Sequence, residues 1–279
     1  MKIFLTGARG MLGRDLLPLL SEKHEVLGKD IQDFDITDRK RVGDEIAAYR
    51  PDVVIHTAAY TDVDGCESKR DFAFAVNGEG ALNVALGCAQ AESRMIHLST
   101  DYVFDGKSEN PYPEGYPPNP LSVYGKSKLE GELSIRKVLE NCLIIRTAWL
   151  YGRHGKNFVD TVLRLAGERS ELRMVNDQRG SPTFTKDLSR AIGRLVEVEF
   201  RGVLHVTNSG SCTRFEFAKK ILDLKSPSDR KVRVIPISSA EFVRPARVPA
   251  NSALDCSRFE EITGFHMRNW EEGLREYLS

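Results

Sequence analysis

The sequence predicts an α/β fold built on a doubly wound parallel sheet, and two observations carry that prediction. Short apolar strands alternate with amphipathic helices from residue 2 to about residue 150. At the N-terminus, Lys2-Ile3-Phe4-Leu5 runs directly into Thr6-Gly7-Ala8-Arg9-Gly10-Met11-Leu12-Gly13 and on into a helical stretch from Arg14 to Leu20. Strand, glycine turn and helix in that order are the Rossmann-type entry to such a sheet.

The elements follow in sequence. Strands are expected at 2–6, 25–29, 52–57, 94–99 and 142–147, where runs such as Val53-Val54-Ile55 and Leu143-Ile144-Ile145 lack polar alternation, as strands buried on both faces do. Helices are expected near 12–22, 38–49, 77–92, 121–139 and 157–169. Connections this short require parallel strands with right-handed crossovers. Beyond residue 150 the order loosens, with strands near 172–175 and 202–206, an extended stretch near 232–236, and helices near 184–197, 214–223 and 269–278. Gly and Pro cluster at 105–120 and 179–185, and prolines punctuate 236–249, which reads as insertions forming a smaller C-terminal lobe. The division expected is residues 1–150 as the dinucleotide-binding core and 151–279 mainly as a substrate-binding lobe, with some segments returning to the core.

Composition bounds the partners. The 279 residues carry 40 Lys plus Arg against 40 Asp plus Glu, so nothing points to nucleic acid or an anionic membrane. Cys66, Cys88, Cys142, Cys212 and Cys256 are scattered and odd in number, which reads as reduced thiols in a cytoplasm. No run resembles a signal peptide or a membrane span, so a cytosolic protein is expected. His56, His97 and His205 sit inside strand patterns as core residues, and no His/Asp/Glu spacing suggests a metal site.

In the glycine turn, Gly7 permits the bend, Gly10 lets backbone approach a pyrophosphate and Gly13 lets the helix pack on the strand, with Arg9, Met11 and Leu12 between them. Functional groups in such sheets collect beyond the carboxyl ends of the strands. Strand two ends in Asp30, placed either to bind an adenosine ribose 2′-hydroxyl or to act as a turn cap, while Arg9 is near enough to attract a 2′-phosphate; both NADH and NADPH are therefore expected to serve. Strand three ends in small Ala58 and Ala59 before Tyr60, leaving room for a coenzyme, and strand four ends in Thr100-Asp101-Tyr102. Tyr124 and Lys128 align on one helical turn. A cation ~4 Å from a phenol at an effective dielectric of ~20 contributes roughly 4 kcal/mol, so Lys128 is expected to bring Tyr124 toward neutral pH.

With these pieces the chain resembles the extended short-chain dehydrogenase/reductase superfamily, which pairs G-x-x-G-x-x-G with Tyr-x-x-x-Lys beside a Ser or Thr. The strings His56-Thr57-Ala58-Ala59-Tyr60-Thr61-Asp62-Val63-Asp64, Ser99-Thr100-Asp101-Tyr102-Val103-Phe104-Asp105-Gly106, Arg146-Thr147-Ala148-Trp149-Leu150-Tyr151-Gly152 and Asp177-Gln178-Arg179-Gly180-Ser181-Pro182-Thr183, spread over nearly the whole chain, are similar to the dTDP-4-dehydrorhamnose reductase family. That resemblance implies hydride transfer from NADPH or NADH to the C4 ketone of dTDP-6-deoxy-L-lyxo-4-hexulose, giving dTDP-L-rhamnose. Tyr124 would protonate the alkoxide, Lys128 hold the nicotinamide ribose and Thr100 polarise the carbonyl. Asp101 and Tyr102 would contact the sugar, Trp149 form a flat wall, and Asn157, Phe158 and Gln178 line the nucleotide end. The family's late Arg-Pro-x-x-Ser string is altered here to Arg247-Val248-Pro249-Ala250-Asn251-Ser252, with Val248 where arginine is usual, leaving Arg247 or Arg244 for the diphosphate. Some relatives bind Mg²⁺ through carboxylates at a homodimer contact; the corresponding carboxylates are not identified in this sequence, and Mg²⁺ is left open. Two other readings share these residues: an epimerase or 4,6-dehydratase of the same superfamily, and a non-catalytic regulatory subunit like the β subunit of methionine adenosyltransferase. A dehydratase would place Asp-Glu after the strand-four threonine, where this chain has Asp101-Tyr102.

Overall fold

In the computed structural model, which describes residues 1–225 and 232–279, the first half of the chain lays down β1 (Lys2–Thr6), α1 (Met11–Ser21), β2 (Glu25–Lys29), α2 (Arg39–Tyr49) and β3 (Val53–His56). There follow α3 (Val63–Ser68), α4 (Arg70–Phe74), a π-helical turn (Ala75–Gly80), α5 (Ala81–Gln90), β4 (Arg94–Thr100), α6 (Val123–Val138) and β5 (Cys142–Thr147). The second half supplies β6 (Leu150–Tyr151), α7 (Phe158–Glu168), β7 (Glu171–Val175), β8 (Arg179–Gly180), β9 (Thr183–Phe184), α8 (Thr185–Val196), β10 (Gly202–His205), β11 (Cys212–Thr213) and α9 (Arg214–Leu224). It closes with β12 (Arg233–Ile237), α10 (Ser257–Thr263) and α11 (Trp270–Leu278).

The main sheet has six strands in the order β10-β5-β4-β3-β1-β2, every neighbouring pair parallel. Because successive side chains alternate faces, Ile3 and Leu5 pack with α1 and α8 residues such as Leu16, Leu188 and Ile192, whereas Phe4 packs on the other side with Ile46, Val84 and Ile135. A third core, including Tyr151, Val162, Phe184, Phe217 and Leu274, holds the second half together. The chain does not cross residue 150 once and leave. β10 pairs with β5, and α8 packs along α1. The order reverses between β1 and β3, so the opening beyond their carboxyl ends is the switch point at which such sheets bind ligands.

Several helical elements were not expected from the pattern. α3 and α4 are six and five residues long, too short to show periodicity or to persist without tertiary support. The helix expected over 77–92 begins instead as the π-turn, whose wider winding is common where function matters. α10 packs Phe259 into the first core. No helix among the described residues is long and apolar enough to cross a membrane.

Candidate active site

A cleft of about 850 Å³ opens over the switch point and is lined by residues from the glycine turn at one end to Trp149 and Arg214 at the other. At the first end Gly7 has φ +74°, and a Cβ there would lie 2.7 Å from the Ala58 amide nitrogen, so the turn and β3 approach as only glycine permits. A Cβ on Gly13 would meet the Gly7 carbonyl oxygen at 2.2 Å, which is why α1 can sit so close to β1. A Cβ on Gly10 would touch nothing nearer than the Gly7 carbonyl oxygen at 3.1 Å. Gly10 caps α1 without a side chain, and the amides of Met11, Leu12 and Gly13 find no acceptor among the described residues. These unpartnered N–H groups at a helix N-terminus fit the pyrophosphate of a dinucleotide. Asp30 accepts from the Arg9 and Ile31 amides, both at 2.8 Å, so its carboxylate ties the glycine turn to β2 while still facing the cleft. The Arg9 guanidinium bonds Gln32 at 2.9 Å and lies 3.6 Å from Asp33. Ala58, Ala59 and Tyr60 form the wall beyond β3.

Thr100, Tyr124 and Lys128 all line this cleft. The start of α6 presses on the turn after β4: a Cβ on Gly125 would stand 2.2 Å from the Tyr102 carbonyl oxygen, and the Tyr102 and Tyr124 rings meet edge to face at 5.6 Å. Asn77, aimed by the π-turn, braces this contact. It accepts from the Tyr60 amide at 2.8 Å and donates to the Tyr60 carbonyl and the Ser127 hydroxyl, each at 3.0 Å. Lys128 is 2% exposed and donates to the Leu98 carbonyl at 2.6 Å, with His97 Nε2 at 3.4 Å. Burial draws its pKa down to about 8, against the opposing pull of Glu132. The expectation that Lys128 lowers the Tyr124 phenol is reversed. Burial pushes that phenol well above its ordinary range, with only the Thr100 hydroxyl among the main influences drawing it back, while the Lys128 ammonium directs one donor to the β4 backbone. Tyr124 is thus a phenol that keeps its proton until a stronger base forms beside it.

At the far end Trp149 adopts φ +44°, a strained setting for a bulky residue, and so turns its indole into the cleft. A Cβ on Gly180 would fall 2.5 Å from the ring, and the Arg214 guanidinium stacks over the indole, 3.3 Å from the ring centroid. Arg214 makes no side-chain hydrogen bond or ion pair with the described residues, so its donors are open to the cleft. Sequence reasoning missed it. The available signal was a cation at the first position of α9, where the helix dipole favours an acid.

Other expected substrate residues stand elsewhere. Asn157, Phe158, Gln178 and Arg247 are not part of the cleft wall. Asn157 caps α7 and donates to the Gly152 carbonyl at 2.9 Å, a local structural task. Phe158 stacks on Phe217 at 5.4 Å, Gln178 accepts the Arg214 amide through its carbonyl at 3.3 Å, and Arg247 is exposed. Arg244 is engaged in a bidentate pair with Asp64, both bonds 3.0 Å. Among the described residues no group of three or more His, Cys, Asp or Glu gathers to hold a metal ion.

The model of the family described as "RmlD substrate binding domain" matches residues 1–279. A spore coat polysaccharide biosynthesis protein of Bacillus subtilis is 41% identical over 99% of this chain and 96% of its own length. A dTDP-4-dehydrorhamnose reductase of Sinorhizobium fredii is 39% identical over 100% of this chain and 97% of its own. The crystal structure of a dTDP-4-dehydrorhamnose reductase from Bacillus anthracis in complex with NADP is 40% identical and superposes with a TM-score of 0.94, covering 99% of this chain and 98% of that one.

Proposed function

Because the chain belongs to the RmlD substrate binding domain family, we propose that it is an NAD(P)H-dependent dTDP-4-dehydrorhamnose reductase, converting dTDP-6-deoxy-L-lyxo-4-hexulose to dTDP-L-rhamnose. The observation that carries the reading is that Thr100, Tyr124 and Lys128 share one cleft with an uncapped, glycine-turned helix N-terminus. The relatives' names supply the substrate class, a nucleotide sugar with a 4-keto group.

A nicotinamide dinucleotide supplies the hydride when bound. The chain's own residues do the rest. The α1 N-terminus takes the pyrophosphate, and Lys128 is near enough to the cleft to hold the nicotinamide ribose. Tyr124, protonated at neutral pH, gives its proton to the oxygen of C4 as that oxygen becomes an alkoxide. General acid catalysis of this kind typically contributes about 10²–10⁴-fold. Thr100 adds a second hydrogen bond to the same oxygen. Trp149 offers the sugar a flat face, and Arg214 replaces Arg247 as the cation for the diphosphate. The reading extends to a homodimer and to a cytoplasm, the latter in keeping with five free cysteines.

The test is incubation with NADH or NADPH and a panel of dTDP-, UDP- and GDP-4-keto-6-deoxysugars, with products identified by NMR. dTDP-L-rhamnose is expected. Oxidation of no coenzyme across the panel overturns the assignment.

A further inference from the structure

Resemblance gives Asp101 a contact with the sugar, but the geometry gives it another task. We propose that Asp101 is the positioning residue for Thr100, setting whether the Thr100 hydroxyl keeps its proton on the carboxylate or offers it to the substrate ketone. The proposal deepens the reductase reading and rests on it.

Three observations carry it. Thr100 Oγ1 donates to Asp101 Oδ1 at 3.0 Å, and the Tyr102 amide donates to Thr100 Oγ1 at 3.2 Å. A hydroxyl has one proton, so with Asp101 ionised Thr100 faces Tyr124 and the cleft only as an acceptor. A carbonyl oxygen gaining charge needs donors, so this is the wrong polarity for catalysis. A protonated carboxyl reverses it: the acid donates to Thr100 Oγ1, and the hydroxyl proton turns into the cleft. Finally, Asp101 is 2% exposed and its Oδ2 has no partner at hydrogen-bonding geometry, an arrangement that suits the neutral acid better than the anion.

The surroundings agree. Burial raises the Asp101 carboxyl to about 6, against the Ser252 and Thr100 hydroxyls and the Arg214 charge. The titratable and charged neighbours are Arg214 from α9, Tyr124 and Lys128 from α6, Cys66 and Asp64 from α3, Tyr102, and Arg244 from the segment after β12. Lys128 titrates near 8 and Cys66 near 11, Tyr102 and Tyr124 lie above the ordinary phenol range, and Asp64 is held below the carboxylate range. A kinetic limb near 6 therefore belongs to Asp101.

The experiment follows single-turnover coenzyme oxidation from pH 5 to 9 in wild type, Thr100→Ser, Thr100→Val, Asp101→Asn and the Thr100→Val/Asp101→Asn double variant. Wild type and Thr100→Ser should speed up as pH falls through about 6, whereas Thr100→Val and Asp101→Asn should be flat there. Asp101→Asn, whose amide N–H can donate to Thr100 Oγ1 as the protonated acid does, should raise kcat at pH 8 by about tenfold or more while leaving sugar KM within about threefold, and should change kcat less than about twofold once Thr100 is valine. An equal loss in both backgrounds, or a loss mainly in KM, would assign Asp101 to the sugar and overturn the proposal. A substrate-free readout separates this from failure of the reductase reading. The infrared carboxyl band of Asp101, found by its absence in Asp101→Asn, should titrate at higher pH in Thr100→Val, because the hydroxyl no longer stabilises the anion; an unmoved midpoint also overturns the proposal.

Discussion

Tyr124 and Lys128 lie one turn apart, yet burial and backbone contacts assign them different tasks. Tyr124→Phe keeps the ring and its packing on Tyr102 while removing the proton, so turnover should fall by at least about 10²-fold with coenzyme affinity little changed. Fluorescence titration with NADPH beside steady-state rates checks this, and a variant within threefold of wild-type turnover would remove Tyr124 as the acid. Lys128→Met should also weaken coenzyme binding. Arg214 has a distinct expected outcome. Arg214→Ala removes open donors stacked on Trp149, so KM for the nucleotide sugar should rise by about tenfold or more with KM for NADPH unchanged. A rise confined to NADPH would place the cation at the coenzyme instead.

Elements bring these residues together through contacts with no slack. Gly125→Ala would drive a Cβ into the Tyr102 carbonyl and lever α6 away from the turn after β4, so kcat should fall about as far as when Tyr124 itself is changed. Behind the same helix Glu132 receives two bonds from Arg146, at 3.0 and 2.7 Å, and one from the Ser99 hydroxyl, all in the interior. Glu132→Ala would strand the Arg146 charge and should cost about 3–5 kcal/mol in urea unfolding. In the glycine turn Asp30 holds backbone on both sides, so Asp30→Ala should weaken NADH and NADPH alike. Arg9→Ala should shift the kcat/KM ratio toward NADH by severalfold, both coenzymes serving the wild type. An unmoved ratio would show that Arg9 does not meet the adenosine ribose.

The whole molecule carries a buried acid sensitivity. His56 and His205 are held to about 3, and His97 is also well below its ordinary value, chiefly by burial and then by Lys128 or Arg146. Below pH 6.5 the unfolded chain binds protons that the folded histidines refuse, so stability falls as pH drops from 6.5 toward 3. Asp101 opposes this in part, since its raised value lets the folded state hold an extra proton between about 4 and 6. The net uptake on unfolding near pH 5 is about two protons from these four groups, a slope of roughly 3 kcal/mol per pH unit. Calorimetric unfolding in buffers of differing ionisation enthalpy measures that uptake, and a value below one proton would refute it.

The alternation of strands and helices, the glycine turn and the Tyr124-Lys128 pair were legible because each is a local pattern: two-fold or 3.6-fold periodicity, a bend only glycine allows, a single helical turn. Such patterns depend on neighbours within a few residues, and the sequence states them directly. The short α3 and α4, the π-turn that aims Asn77, the twisted backbone of Trp149 and the stacking of Arg214 on that indole in the cleft were decided by tertiary structure. So was the high phenol of Tyr124. Each depends on which distant segment buries which group, and burial changes a charge's energy by more than any adjacent residue does.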